Sequence, residues 1–431
     1  MAPARPYVVA GALSLVVFVL ACTFCVGGLA KHEWPGDVPH YQTFGQRMLD
    51  GEVPYHDFYS EYPPGALPMF ALPAAVSERH YVDVFKSLTT LLGCIALVAA
   101  AATLWVLRAG TARVAVALGS IAVAPALLGH VFLNRYDPWP AALVSVALLL
   151  VLVRRLRSAF ALLAVAVTAK IYAIAALPAA SIRVWRLEGR PMLLRALAAF
   201  LVVGALITLP FAVVGFGGLG DSFYVQSTRP LQVESLGASI LLVADRLGVY
   251  DARFFAGKGN SIDLHGTLPA AVGVLTSLLL LAAVALVVWI YFRGRESAEA
   301  FVVAFTASIT AYVVFFKVFS PQYMTWLVPL VPLVAGTRGR IATAAFLAAL
   351  LATQIEIYGF EPIHPVAGSS FLAGKPDAWA PWVLLARNLL LVGVFGFLVA
   401  ELRALSFPRA APVRAVPAAA PGSYFDPRAA R

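Results

Sequence analysis

Residues 268–292, LPAAVGVLTSLLLLAAVALVVWIYF, contain no charged side chain. A helix of roughly 20 apolar residues is long enough to cross the hydrocarbon core of a bilayer. The pattern recurs, with apolar stretches at about 7–30, 82–107, 114–133, 138–153, 192–216, 268–292, 300–316, 323–336, 341–357 and 379–402. At 61% hydrophobic and 13% charged over 431 residues, the chain carries more apolar surface than one soluble core would use. The expected fold class is therefore an all-α polytopic integral membrane protein, because helices satisfy their own backbone hydrogen bonds in lipid.

A further apolar stretch, 159–182, is interrupted by Lys170 and flanked by arginines on both sides: Arg154, Arg155 and Arg157 before it, Arg183 and Arg186 after it. That flanking predicts a short hairpin turning at Lys170 and returning to the side it left, which brings the total to about twelve helices. With both termini placed in the cytoplasm, nineteen of the 32 basic residues, all arginine, fall on the cytoplasmic side with only five acids. This is the positive-inside pattern. It accounts for the net charge of +10 by topology, and no Lys/Arg cluster interleaved with aromatics points to a nucleic-acid partner.

Cys22 and Cys25 lie within the first apolar stretch and Cys94 within the second, so packing is expected of them and neither zinc nor disulfide. Leu20-Ala21-Cys22 imitates a lipoprotein signal, but the apolar run continues past it and cleavage is not expected. The seven histidines show no HxH or HExxH spacing, and no metal site is expected. Polar residues concentrate in two segments on the outer side, 31–81 and 217–267. Residues 1–407 read as one transmembrane domain, and the Ala/Pro/Arg-rich 408–431 as a disordered cytoplasmic tail.

Within the first outer segment, VPHYQTFGQRMLD (38–50) places Tyr41, Phe44, Met48 and Leu49 on one face at helical spacing. A helix lying on the membrane surface is expected there, closed by Asp50-Gly51. A second short helix is expected from YPPGALPMFALPAAV (62–76), where the proline pair suits a first turn. HDFYSEYPP joins these two juxtamembrane helices.

In order along the chain come Asp37 and Tyr41, Gly51, Pro54-Tyr55, Asp57, Glu61-Tyr62-Pro63-Pro64, then Lys170, and Ser320-Pro321 with Trp326. This set resembles glycosyltransferase family 87, polyprenyl-phosphate-sugar-dependent transferases of the GT-C superfold, many of them actinobacterial mannosyl- or arabinofuranosyltransferases of the cell envelope. The resemblance implies a GT-C-like membrane enzyme. Its substrates would be a polyprenyl-phosphate sugar donor, mannose as first guess, and a glycan or glycolipid acceptor; membrane lipids would surround it and no cofactor would be needed. It also implies that the first acid of the first outer loop, here Asp37, is the general base. Where compared members carry histidines after Ser-Pro, this chain reads SPQYMTW, with Gln322 and Tyr323.

The chemistry is consistent with that role, since a lipid-phosphate leaving group departs without a proton and one carboxylate suffices as base, whereas glycosidases flank the bond with two. A single displacement would invert the anomeric centre. Asp37, just before Val38-Pro39, equally suits a helix N-cap. Asp57 and Glu61 fit either sugar-hydroxyl contacts or local caps, with Tyr41 and Tyr55 lining the same place. Lys170, alone in an apolar stretch, is read as a lipid-phosphate contact or as a snorkelling side chain. Arg135 and Asp137 of LNRYDPW pair with each other in one reading, and Arg135 touches phosphate in the other. Arg229, Lys317 and Gln322 complete the candidate substrate-binding set. A multi-pass transporter or lipid flippase is the rival class.

Overall fold

The computed structural model describes residues 5–27, 36–257, 261–365 and 371–408. The expected tail lies almost wholly outside them, as does the start of the first polar segment. Among the described residues, eight helices are long and apolar enough to cross a membrane, so the coarse expectation of a multi-pass helical membrane protein holds.

α1 (Arg5–Gly27) leads to two short helices, α2 (Val38–Leu49) and α3 (Pro68–Val76). α4 (Tyr81–Val106), α5 (Thr111–Leu128), α6 (Pro138–Leu152) and α7 (Leu156–Ala169) follow, with α6 packed on both α4 and α7. α8 (Leu177–Val214) holds two helices meeting at Gly189, where φ is +75° and the helical hydrogen-bond run cannot continue. α9 (Phe216–Thr228) and α10 (Leu236–Arg246) belong to the second polar segment, together with β1 (Leu231–Gln232), β2 (Phe254–Ala256) and β3 (Ile262–Leu264). Those strands form a small antiparallel sheet in the order β1-β3-β2, which the sequence reading did not anticipate. α11 (Thr267–Arg293), α12 (Ala298–Phe315), the one-turn α13 (Met324–Leu327), α14 (Gly336–Glu356) and α15 (Ala380–Ser406) complete the bundle, with a two-stranded β4 (His364–Pro365) and β5 (Leu372–Ala373) between the last two.

Arginines gather the helix ends at one face of the molecule. Arg113 pairs with Glu299 at 2.6 Å and donates to the carbonyl of Leu333. Arg154 meets Glu188 at 3.4 Å, Arg183 pairs with Glu296, Arg186 donates to the carbonyl of Gly294 at 2.9 Å, and Arg338 meets Glu401 at 3.3 Å. Arg186, donating to carbonyls at the end of α11, offsets their partial negative charge. We call this the basic face. The hairpin follows from the same contacts: α7 leaves beside Arg154, the chain turns at Lys170, and the first half of α8 returns to Glu188 next to it.

Two expectations need correction. Residues 323–336 are not a spanning helix: this stretch is a series of single turns around Pro329 and Pro332, with 321–334 buried throughout. Proline removes the donors a helix needs, and irregular backbone at such depth is tolerated where protein encloses it. The second correction concerns α2. Its apolar face packs on α3, with the Tyr41 ring stacked on Phe70 at 4.5 Å and Gly45 against the Phe70 carbonyl; only Leu49 of the predicted stripe is exposed.

Candidate active site

The face opposite the arginines collects the polar loops. Asp37 stands at the N-cap position of α2, yet its side chain makes no cap hydrogen bond. Its carboxylate instead pairs with Arg135 through Oδ1 and accepts from the hydroxyls of Tyr41 and Tyr62, each at 3.3 Å, through Oδ2. The capping reading is therefore set aside. Of roughly four lone-pair positions on a carboxylate, three are engaged, and the Asp37 side chain keeps 20% of its surface open.

The expected pairing of Arg135 with Asp137 does not occur. Arg135 lies in the loop ahead of α6, where it reaches Asp37, and Asp137, at the start of α6, turns inward. Its Oδ1 accepts from Lys170 Nζ at 2.7 Å and from the indole N–H of Trp326 at 2.6 Å, in a fully buried position. Lys170 also lies over the rings of Tyr136 (4.7 Å), Tyr323 (5.0 Å) and Trp326 (5.2 Å), a cation–π arrangement. Tyr172, Trp326 and Tyr323 stack at 3.7 and 4.1 Å. Lys170 is thus neither snorkelling nor an unpartnered cation. The tyrosines join both ion pairs into one cluster, since Tyr136 packs edge-on against Tyr41 and Tyr62 and also underlies Lys170.

Local sequence explains the placement. Pro63-Pro64-Gly65 brings the chain against the end of α7, where a Cβ on Gly65 would lie 2.6 Å from the backbone of Thr168 and Ala169. Trp139 Nε1 donates to the Gly65 carbonyl at 3.0 Å, and Tyr136 to the Ala169 carbonyl at 3.3 Å. The YPPG motif so locks the Asp37 loop to the Lys170 turn. Tyr55 is buried with φ +68°, its backbone meeting Gly218 so closely that a Cβ there would lie 2.1 Å from the Tyr55 carbonyl.

The remaining candidates divide. Glu61 is half-buried, and burial pushes its carboxyl up, the charge of Asp37 adding to that and His40 opposing it. Glu61 is thus within electrostatic reach of the site. Asp57 orders the exposed turn, accepting from the Val53 amide at 2.7 Å, with His56 Nδ1 also 2.7 Å away, and those bonds hold its carboxyl below the usual range. Gln322 is buried with its side-chain oxygen unpartnered. Arg229 and Lys317 stand at the junction of the second polar segment, where Lys317 Nζ donates to the Ser227 carbonyl at 3.0 Å. Gln226 ties that segment to the site through the Glu61 carbonyl at 3.2 Å.

Tyr62, Tyr136 and Asp137 were absent from the expected set of binding residues, and Glu234, Glu356 and Arg387 were overlooked entirely. Arg387 and Asn388 on α15 both donate to the Glu234 carbonyl, at 3.0 and 3.2 Å, and Arg387 lies 3.4 Å from Glu356. Burial and the charge of Glu356 push the Glu234 carboxyl up. The signal was present, because Glu356 and Arg387 are ionisable residues inside apolar runs. Compared with known proteins, the chain matches no protein-family model and no curated relative.

Proposed function

We propose that this protein is a polyprenyl-phosphate-sugar-dependent glycosyltransferase, mannose being the first choice of sugar, in cell-envelope glycan or glycolipid assembly. In this reading both termini and the basic face are cytoplasmic, as the positive-inside rule favours, and the Asp37 face is outward. The observation that carries the reading is the Asp37 carboxylate. It is freed from capping, oriented by Arg135, Tyr41 and Tyr62, and left with an accepting position at a partly open surface.

An acceptor hydroxyl hydrogen-bonded to that position would give its proton to Asp37 as its oxygen attacks the anomeric carbon, and the lipid phosphate would leave with the bond's electron pair. Each step balances with one base, and the product is inverted. Glu61 is placed to bind sugar hydroxyls. The Lys170–Asp137–Trp326 unit is the rigid floor under the tyrosines that hold Asp37. A mannosyl- and an arabinofuranosyltransferase share this chemistry and differ in the sugar seated beside Glu61.

Incubating membranes containing the protein with radiolabelled polyprenyl-phosphate-mannose, and separately polyprenyl-phosphate-arabinose, tests the reading. Transfer of label from one donor to a new product is expected. Recovery of both donors chemically intact, with label moved across the membrane, would make the protein a carrier.

A further inference from the structure

We infer that Arg229 and Lys317 form a binding site for a phosphate group, and that Lys170 and Arg135 do not. Charge accounting separates the four cations. Arg135 is matched by Asp37 and Lys170 by Asp137, both as direct ion pairs. Arg229 and Lys317 form no ion pair with a described residue, although each lies in the field of the other. Arg229 Nε is buried and unpartnered, an uncompensated donor of the kind whose desolvation a bound anion would offset. Lys317 is half-buried, and burial, then the charge of Arg229, lowers its basicity.

The acid in range of both is Asp263 on β3. Its Oδ2 accepts from the Ser261 hydroxyl at 3.0 Å, and it forms no ion pair with either cation, so its charge opposes an incoming anion without spending their donors. Glu234 also lies in the field of Arg229, but it forms no ion pair with it and sits beside Arg387, which donates to its carbonyl. Neither cation of the junction is thus paired with an acid among the described residues; Lys317 Nζ spends one donor on the Ser227 carbonyl at 3.0 Å, and the Arg229 Nε donor is unspent. A guanidinium fork beside an ammonium suits the several oxygens of a phosphate.

Its position agrees with a lipid-borne phosphate. Arg229 caps the C-terminal end of α9, which follows α8 directly and exposes Phe216, Phe223 and Tyr224, and aromatic side chains favour the membrane interface. Where the phosphate belongs to a lipid-linked sugar, the inference rests on the transferase reading. A binding measurement is separate from sugar transfer, so either can fail alone.

The experiment is calorimetric titration of the purified protein in phosphatidylcholine nanodiscs, with inorganic phosphate in one arm and with polyprenyl phosphate in the other. Binding in the lipid arm alone identifies a lipid headgroup as the ligand, and binding in both identifies the phosphate itself as sufficient. Arg229→Gln and Lys317→Gln are each expected to weaken binding about tenfold or more, and the charge-balanced double variant Lys170→Met/Asp137→Asn to leave it within about threefold. Asp263→Asn is expected to tighten binding, an outcome that misfolding cannot produce. No binding of either probe by the wild type, unchanged binding in both Gln variants, or loss of binding confined to the Lys170→Met/Asp137→Asn protein would overturn the inference.

Discussion

The ammonium of Lys170 lies 2.7 Å from Asp137 Oδ1, and neither carboxylate oxygen of Asp137 is exposed to solvent. Removing one member of such a pair strands the other in a dry site, at a cost of about 3–5 kcal/mol, whereas replacing both is nearly neutral. Lys170→Met should therefore lower the thermal unfolding midpoint strongly, and Lys170→Met/Asp137→Asn should recover most of the loss. Equal midpoints for the single variant and the wild type would show that the pair is not a structural unit.

Gly65 meets the backbone of Thr168 and Ala169, while Gly204 on α8 has nothing within 4 Å of a modest added Cβ. Overpacking against rigid backbone costs about 1–3 kcal/mol. Gly65→Ala should destabilise by that order and Gly204→Ala should not, as read from unfolding midpoints in detergent. A tolerated Gly65→Ala would mean that the YPPG loop is not clamped to α7.

Burial raises the Glu61 carboxyl above its ordinary value of 4.5. For a group raised in the folded state, the stabilising contribution is complete below the unfolded value and is lost as pH rises through the folded one. Stability of the wild type should thus decline as pH climbs from about the ordinary glutamate range upward, and Glu61→Gln should flatten that decline and be the more stable protein at neutral pH. Parallel pH–stability curves for the two proteins would refute the burial of this carboxyl.

The contact between Arg154 and Glu188 fixes the hairpin through Lys170 as a there-and-back excursion. A cysteine placed at Leu187 should react with an impermeant thiol reagent from the cytoplasmic side, and one placed at Leu49 from the other. Labelling of position 187 from outside would invert the proposed orientation.

Much of this architecture is written in local patterns. Apolar runs gave the long helices, and the arginines flanking 159–182 gave the turn at Lys170, because chain direction is constrained by where charge can sit. Periodicity also found α2 but could not say what covers its apolar face; Phe70 covers it, which only tertiary packing decides. Hydropathy misjudged 323–336, since buried irregular turns are as apolar as a spanning helix. Pairings were the least legible part: Arg135 and Asp137 are neighbours in sequence, yet the backbone between them sends one to Asp37 and the other to Lys170. The small sheet around Asp263 left little trace because its strands are two or three residues long.

The most direct test is turnover of the Asp37→Asn protein with radiolabelled polyprenyl-phosphate-mannose, or with the arabinose donor if that is the active one, alongside its unfolding midpoint. Asparagine keeps the size of the side chain and an oxygen for Tyr41 and Tyr62 but cannot take the acceptor's proton. A fall of roughly 10²-fold or more in turnover in a folded protein is the predicted result. Turnover within a few-fold of wild type would contradict Asp37 as the base.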